Sequence, residues 1–169
     1  HRGIGLPEPN RYWSAASFAI EGVANSKIQQ TDTQDLDELE SLLSQSIGGQ
    51  LLSDVPLGVF LSGGIDSTAV AAVAQSVSNN PIKTFSVGFD EAGYDESIHA
   101  ARISKHLHTD HHEMRVSSRD ALAVIPNLSQ LYTEPFADSS QIPTYLISRM
   151  AREKVTVALS GDGGVEIFS

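Results

Sequence analysis

The chain has 169 residues, enough for one ordinary domain that buries a core without disulfides or structural metal. Hydrophobic residues make up 40% and charged residues 19%, a composition typical of a folded protein rather than a disordered one. The formal net charge of -10 argues against nucleic-acid binding, and the absence of cysteine excludes thiolate metal sites and cysteine nucleophiles within the chain. No apolar run approaches the roughly eighteen residues of a membrane span and the chain starts without a secretory pattern, so we expect a cytoplasmic protein without membrane contacts.

The first third of the chain predicts a linker followed by one helix. Residues 1–33 show no sustained period and contain several Gly and Pro residues, which predicts a lead-in segment. From Gln34 to about Ile47, leucines recur at helical spacing between acidic residues, and Asp32 or Thr33 could cap the start. We therefore expect an amphipathic helix to introduce the rest of the domain.

The remaining sequence alternates between strand-like and helix-like segments. Strands are predicted at 57–61, 82–89, 112–116 and 155–159. Helices are predicted from about Asp66 to Gln75 and at 95–107, 118–132 and 141–153. Strands that alternate with helices of this length predict an α/β fold, a parallel twisted sheet with helices on both faces. Binding sites in such sheets lie at the carboxyl ends of the strands.

A glycine-rich loop, residues 62–67, follows the first predicted strand. Its sequence is Ser-Gly-Gly-Ile-Asp-Ser, and glycines in such a turn allow successive N–H groups to point into one concavity that suits an anion. The N-terminus of the next helix would add its dipole, and Ser67 a hydroxyl donor. Asp66 would repel phosphates unless a cation lay between them, so we assign it to Mg²⁺.

Taken alone, this hexapeptide is also compatible with a simple strand-to-helix turn in which Asp66 caps the helix. A second loop of the same kind, Ser160 to Gly164, follows the last predicted strand. In a parallel sheet both loops would emerge at one edge, where they could face a single ligand. Neither loop has the Gly-Lys of a Walker motif. The two loops together favour a phosphate chain as the ligand.

Segment 54–67, Asp-Val-Pro-Leu-Gly-Val-Phe-Leu-Ser-Gly-Gly-Ile-Asp-Ser, resembles the pyrophosphate loop of the asparagine synthetase family. Six further blocks resemble that family in the same order: 83–89, 94–96, 109–113, 134–138, 142–145 and 160–164. The resemblance implies an adenine nucleotide alpha hydrolase-like fold. It also implies an ATP-dependent ligase that adenylates aspartate or a similar carboxylate, releases pyrophosphate, and lets ammonia attack to give the amide and AMP.

The resemblance also implies roles for individual residues. Nucleotide binding is expected for backbone groups of Leu61 and Val87, for the phosphate-loop residues Ser62, Gly63, Gly64, Asp66 and Ser67, and for Ser160 and Gly161. Asp162 matches the acidic position associated with adenylate formation and is the expected catalytic residue. Asp95, Asp138 and Glu166 are expected to shape the substrate pocket. ATP and Mg²⁺, with Asp66 as metal ligand, are the expected cofactors.

Some features depart from the family pattern. Val165 stands where the family has a second Asp that shares the metal ions, and valine cannot bind Mg²⁺. The chain also stops before the family's helical region with phosphate-binding basic residues, and it contains no cysteine that could serve a glutaminase half. We therefore interpret residues 34–169 as the nucleotide-binding portion of an asparagine synthetase-like domain and expect weak ATP binding from this chain alone.

Other interpretations stay open on sequence grounds. A β-lactam synthetase or a lasso-peptide cyclase uses the same adenylation chemistry, and a degenerate nucleotide-binding module would explain Val165. A tRNA-thiolating enzyme is disfavoured by the acidic charge and the lack of cysteine. The expected partners are ATP, an aspartate-like carboxylate and ammonia, with no nucleic acid and no membrane, and a homodimer is left open.

Overall fold

A computed structural model describes residues 9–25, 31–90, 96–134 and 137–164. The helices are α1 (Ala15–Asn25), α2 (Asp32–Leu51), α3 (Ile65–Val77), α4 (Ser97–Leu107), α5 (Ser118–Val124), α6 (Leu128–Leu131) and α7 (Gln141–Arg152). The strands are β1 (Leu57–Phe60), β2 (Lys83–Phe89), β3 (Asp110–Val116) and β4 (Val157–Leu159). None of the helices in these ranges is long and apolar enough to cross a bilayer.

The four strands form one sheet in the order β3-β2-β1-β4, and every neighbouring pair is parallel. Strand β1 is central and pairs with β2 through Val59 and Thr84 and with β4 through Val59 and Leu159. The predicted parallel α/β sheet is therefore confirmed. Since β1 and β4 are neighbours, the segments that follow them leave the sheet side by side.

Both faces of the sheet are covered because alternate side chains of each strand point in opposite directions. Val59 packs with Ala71 of α3 and Ala100 of α4 on one face. On the other face, Phe85 of β2 packs with Met150 and with other residues of α7. A third cluster joins the end of β3 to α5 and α7 through Val116, Val124 and Leu146. The helices thus lie on both faces, as the sequence predicted.

The chain divides into two compact units, His1–Glu38 and Leu39–Ser169. In the first unit, α1 lies inside the segment for which the sequence predicted no regular element. Its sequence, AASFAIEGVAN, is rich in alanine, the residue with the highest helix propensity. In the same unit, the ring of Trp13 lies 5.9 Å from that of Phe18.

The start of α2 differs from the prediction, which named Asp32 or Thr33 as the cap. The backbone N–H of Thr31 donates to Gln34 Oε1 at 3.0 Å, and the N–H of Gln34 donates to Thr31 Oγ1 at 3.4 Å. This is the reciprocal capping box of a Thr followed three residues later by Gln. The cap is therefore Thr31, which lies one residue before Asp32 and two before Thr33.

One predicted helix is divided in the structure. The segment 118–132 forms α5, a 3-10 turn at Ile125–Asn127 and the short α6. Pro126 lies in that turn, where it has no N–H to donate and its ring disfavours a continued α-helix. The prediction of a single helix is wrong because Pro126 interrupts the α-helical hydrogen bonding within the predicted segment.

Candidate functional site

The first glycine loop connects β1 to α3 at the carboxyl edge of the sheet. The backbone N–H of Leu61 donates to the carbonyl of Phe85 at 2.8 Å, so the ladder continues to the start of the loop. Gly63 then adopts φ +91°, a conformation that L side chains rarely adopt. A Cβ at this position would lie 2.9 Å from the Cβ of His99, in the first turn of α4. The path of the loop therefore requires glycine at this position.

The hydroxyl of Ser67 holds the loop together from inside. The backbone N–H of Ser62 donates to Ser67 Oγ at 3.2 Å, and the two serine hydroxyls lie 2.9 Å apart. Ser67 Oγ also donates to the carbonyl of Gly64 at 3.3 Å. Ser67 is 8% exposed, so this hydroxyl is a structural partner of the loop in addition to its predicted role as a phosphate donor. The exposed side chain of Ser62 faces the cavity described below.

The amino end of α3 suits an anion. Its N-cap is Gly64, which provides no side-chain cap, so the first-turn N–H groups have no side chain of that residue in front of them. The helix dipole adds a positive potential at the same place. Asp66 lies in this first turn and contributes the carboxylate that the sequence analysis assigned to a metal.

The second loop packs directly against the first turn of α3. A Cβ on Gly161 would lie 2.7 Å from the backbone nitrogen of Ser67 and 2.9 Å from the carbonyl carbon of Asp66. A Cβ on Gly164 would lie 2.6 Å from Cγ of Asp66. No side chain fits in either place. The structure therefore brings together the two loops that the sequence placed at one edge, with the carboxylate of Asp66 between them.

The second loop also fixes its own carboxylate. Ser160 Oγ donates to Asp162 Oδ2 at 3.0 Å, and the backbone N–H of Asp162 donates back to Ser160 Oγ at 3.3 Å. Both residues are exposed and both line the cavity. Asp162 thus presents a carboxylate that is orientated before any substrate arrives.

A cavity of about 570 Å³ opens where the two loops meet. It contains nine of the predicted site residues: Leu61, Ser62, Gly64, Asp66, Ser67, Val87, Ser160, Gly161 and Asp162. Gly63 does not line the cavity, but its close approach to α4 determines the path of the loop. The volume lies in the range of cavities that hold small molecules and cofactors. The lining combines polar residues of the two loops with apolar residues of the strands and of α7.

Seven further residues line the cavity without having been predicted as site residues: Phe60, Phe89, Glu96, Pro143, Thr144, Ile147 and Gly163. The period of two along β2 could have indicated Phe89, because it lies on the same side as Val87. Three of the seven, Pro143, Thr144 and Ile147, form one side of α7. That wall depends on how α7 packs on the sheet, which no local pattern reveals.

The structure does not place every predicted residue at the cavity. Asp138 is exposed and lies outside the lining, just before α7. The backbone N–H of Ser140 donates to Asp138 Oδ1 at 2.8 Å, and this bond lowers the pKa of Asp138 below its ordinary value. Its role in a substrate pocket stays a prediction. Asp95 and Glu166, together with Val165, lie outside the described residues.

The family model and similar curated proteins identify the same family. The asparagine synthase family model matches residues 38–169. A Methanocaldococcus jannaschii protein, provisionally named glutamine-hydrolysing asparagine synthetase 2, is 42% identical over 79% of this chain and 26% of its own length. The glutamine-hydrolysing asparagine synthetase 1 of Bacillus subtilis is 36% identical over 86% of this chain and 23% of its own length. The chain spans about a quarter of the length of these curated relatives.

Two solved structures share the fold. The NMN synthetase from Francisella tularensis aligns with a TM-score of 0.53 and 16% identity over 82% of this chain and 57% of that one. The NH3-dependent NAD synthetase from Campylobacter jejuni aligns with a TM-score of 0.51 and 15% identity over 72% of this chain and 54% of that one. At such low identity the likeness concerns the fold alone. It confirms the predicted α/β fold with a parallel sheet.

Proposed function

The chain belongs to the asparagine synthase family, and we propose that its cavity binds ATP for an amide-forming ligase. The observation that carries this proposal is the contact between the two loops, with Gly161 against the backbone of Ser67 and Asp66 under Gly164. A cavity lined both by the first turn of a helix without a side-chain cap and by apolar strand residues suits a nucleotide, which has a phosphate chain and a flat base.

The proposed reaction has two steps. A carboxylate oxygen of aspartate attacks the α-phosphorus of ATP, the bond to the β-phosphate oxygen breaks, and pyrophosphate leaves. Ammonia then attacks the carbonyl carbon of the acyl adenylate, AMP leaves with the bonding electron pair, and the surplus proton passes to solvent. The first step brings two anions together, so groups that are already in place must offset their repulsion.

Residues of this chain supply such groups. The first-turn N–H groups of α3 and the hydroxyl of Ser62 would bind the phosphates. Leu61 and Val87 would contact the adenosine half through backbone groups, and Ser160 and Gly161 would close over it. Asp162 is the proposed catalytic carboxylate because Ser160 holds it at the cavity wall, where it can orientate a cationic or N–H-bearing group of the amino-acid substrate.

A magnesium ion fits the oxygen chemistry of this cavity. Among the described residues no cluster of three or more His, Cys, Asp or Glu could hold a metal by itself. Mg²⁺ bound with nucleotides usually takes only one or two carboxylates and completes its shell with phosphate oxygens and water. Asp66, at the phosphate end, would be the carboxylate that holds it. When bound, the ion would neutralise phosphate charge, which leaves the N–H groups to orientate the chain.

The proposal is tested by aspartate-dependent exchange of labelled pyrophosphate into ATP, measured on the full polypeptide. We expect exchange in the wild type and a loss of about tenfold or more in Asp66→Asn, the lower end of what disturbing a metal ligand set costs. Asp37→Asn, an exposed carboxylate of α2, is the matched control and should exchange like the wild type. Exchange that is absent in the wild type, or unchanged in Asp66→Asn, would contradict the proposal.

A further inference from the structure

The face of the sheet beneath α4 carries a polar seam, defined as Thr84, Ser86, Ser97, Ser104, Thr109, His111 and Glu113. Thr84 and Ser86 come from β2 and are 0% and 1% exposed, and Ser97 and Ser104 come from α4 and are 1% and 3% exposed. Buried hydroxyls are tolerated only when they are hydrogen-bonded, so such a set constrains the helix above it. The seam links α4 to the sheet at two places.

The first tether holds the last turn of α4. Thr109 Oγ1 donates to Ser104 Oγ at 2.9 Å. Thr109 has then used its proton, so Thr84 must donate to Thr109 at 2.8 Å and accept from His111 Nδ1 at 2.9 Å. Burial lowers the pKa of His111, so the imidazole is neutral at pH 7 and its Nε2 accepts from the hydroxyl of Ser86 at 3.2 Å. The first tether thus runs from α4 through the hydroxyls of Thr109 and Thr84 to the sheet.

The second tether holds the first turn of α4. Ser97 Oγ donates to Glu113 Oε1 at 2.9 Å, and Glu113 lies on β3 opposite Ser86. The same carboxylate oxygen lies 3.5 Å from Arg115 Nη1. A hydrogen bond to a charged acceptor is stronger than one between neutral groups. The first turn of α4 is therefore held on the sheet by a charge-assisted bond.

That first turn is also the surface against which the phosphate loop lies. A Cβ on Gly63 would meet His99 Cβ at 2.9 Å, the backbone nitrogen of Ala100 at 3.1 Å and the carbonyl oxygen of Glu96 at 3.2 Å. Ser97 belongs to this same turn. Ser104 lies two turns further along α4, about 10 Å away at 1.5 Å per residue. Each tether holds α4 through a buried serine hydroxyl, but only one of them supports the loop.

We infer that Ser97 and Glu113 are positioning residues for the phosphate loop. Their bond sets the height of the first turn of α4 above the sheet, and that turn sets the left-handed path of Gly63. The N–H groups that follow Gly63 are those proposed to bind the phosphates of ATP. This inference rests on the proposed function, since it names residues that act through the loop without touching the nucleotide.

The test compares Ser97→Ala with Ser104→Ala in the full polypeptide. Each variant removes one buried hydroxyl from α4, and we expect each to lower the free energy of unfolding, Ser97→Ala by more because its partner is charged. Only Ser97→Ala should also raise the KM for ATP in pyrophosphate exchange, by about fivefold, which corresponds to about 1 kcal/mol. The kcat should stay near the wild-type value, because Asp66 and Asp162 are untouched.

Variants of Glu113 give an independent check. Glu113→Gln keeps an oxygen that accepts from Ser97 and should preserve the ATP affinity, whereas Glu113→Ala should weaken it as Ser97→Ala does. An equal KM for ATP in Ser97→Ala and Ser104→Ala, or in Glu113→Gln and Glu113→Ala, would overturn the inference. A wild type that does not bind ATP would instead refute the proposed function, so the two failures are distinguishable.

Discussion

The two glycine loops reach the same cavity by different means. The first is built into the domain: Gly63 lies against α4, and Ser67 ties Ser62 to the start of α3. In the second, internal hydrogen bonds join Ser160 to Asp162 and the N–H of Gly164 to the carbonyl of Gly161, and the loop rests on the first through Gly161. The surroundings of Gly163 are also different, because within the described part of the chain no atom outside its neighbours would lie within 4 Å of a Cβ at this position. The first loop is therefore anchored in the domain, and the second takes its position from its contact with the first.

Because of this difference, we expect glycines in the two loops to be unequally sensitive to substitution. Gly63 and Gly163 share a φ of +91°, yet only Gly63 is enclosed by neighbouring atoms. The steric effect of a substitution should therefore depend on whether neighbouring atoms enclose the glycine, and not on its φ alone. A change at the contact between the loops should affect ligand binding most, and a change behind the first loop should lower stability and weaken binding to a smaller extent.

The largest effect is expected for Gly161→Ala. Its new Cβ would lie 2.7 Å from backbone atoms that cannot move aside, so the second loop must separate from α3. Overpacking of this kind typically costs about 1–3 kcal/mol, and we expect ATP binding measured by calorimetry to weaken by about tenfold or more. Gly49→Ala is the matched control, because a Cβ there meets nothing within 4 Å. Equal ATP affinities in the two variants would show that the loops need not touch.

A smaller difference is expected between Gly63→Ala and Gly163→Ala in urea unfolding. Both substitutions force an L residue into a left-handed backbone, which costs about 1–3 kcal/mol. Gly63→Ala also drives a methyl group into α4, so its loss of unfolding free energy should be larger by about 1 kcal/mol or more. Equal losses would mean that α4 does not support the first loop.

The smallest effect concerns pH. Burial is the main cause that lowers the pKa of His111 below its ordinary 6.5, with His112 acting in the same direction and Glu113 against it. The folded state then binds fewer protons than the unfolded state, so stability is fully present above pH 6.5 and declines as the pH falls towards the lowered folded pKa. The remaining seam partners of His111, the hydroxyls of Thr84 and Ser86, do not titrate in this range.

The measurement is urea unfolding between pH 7.5 and 5.5, values that bracket the ordinary pKa of about 6.5. His111→Gln keeps a donor and an acceptor without titrating and should show a shallower decline than the wild type. His106→Gln, an exposed histidine of α4, is the matched control and should follow the wild type. A wild-type slope in His111→Gln would refute the neutral, buried state of His111.

The parts of the molecule that sequence could predict are those set by local pattern. The alternation of apolar runs with helical periods predicted the four strands, and the glycines after β1 and β4 predicted loops at one edge. The division at Pro126 and the cap at Thr31 are also encoded locally, the first by a proline inside a helical pattern and the second by a Thr three residues before a Gln. The wall of α7 around Thr144 could not be predicted, because it depends on packing between residues far apart in sequence.

The central claim is that both loops hold one nucleotide, and amide hydrogen exchange with and without ATP and Mg²⁺ tests it most directly. Binding slows exchange where backbone amides become protected. We predict that segments 61–68 and 160–164 gain protection together and over the same range of ATP concentration, while β3 is unchanged. Protection of one loop without the other, or of neither at saturating ATP, would contradict a shared nucleotide site.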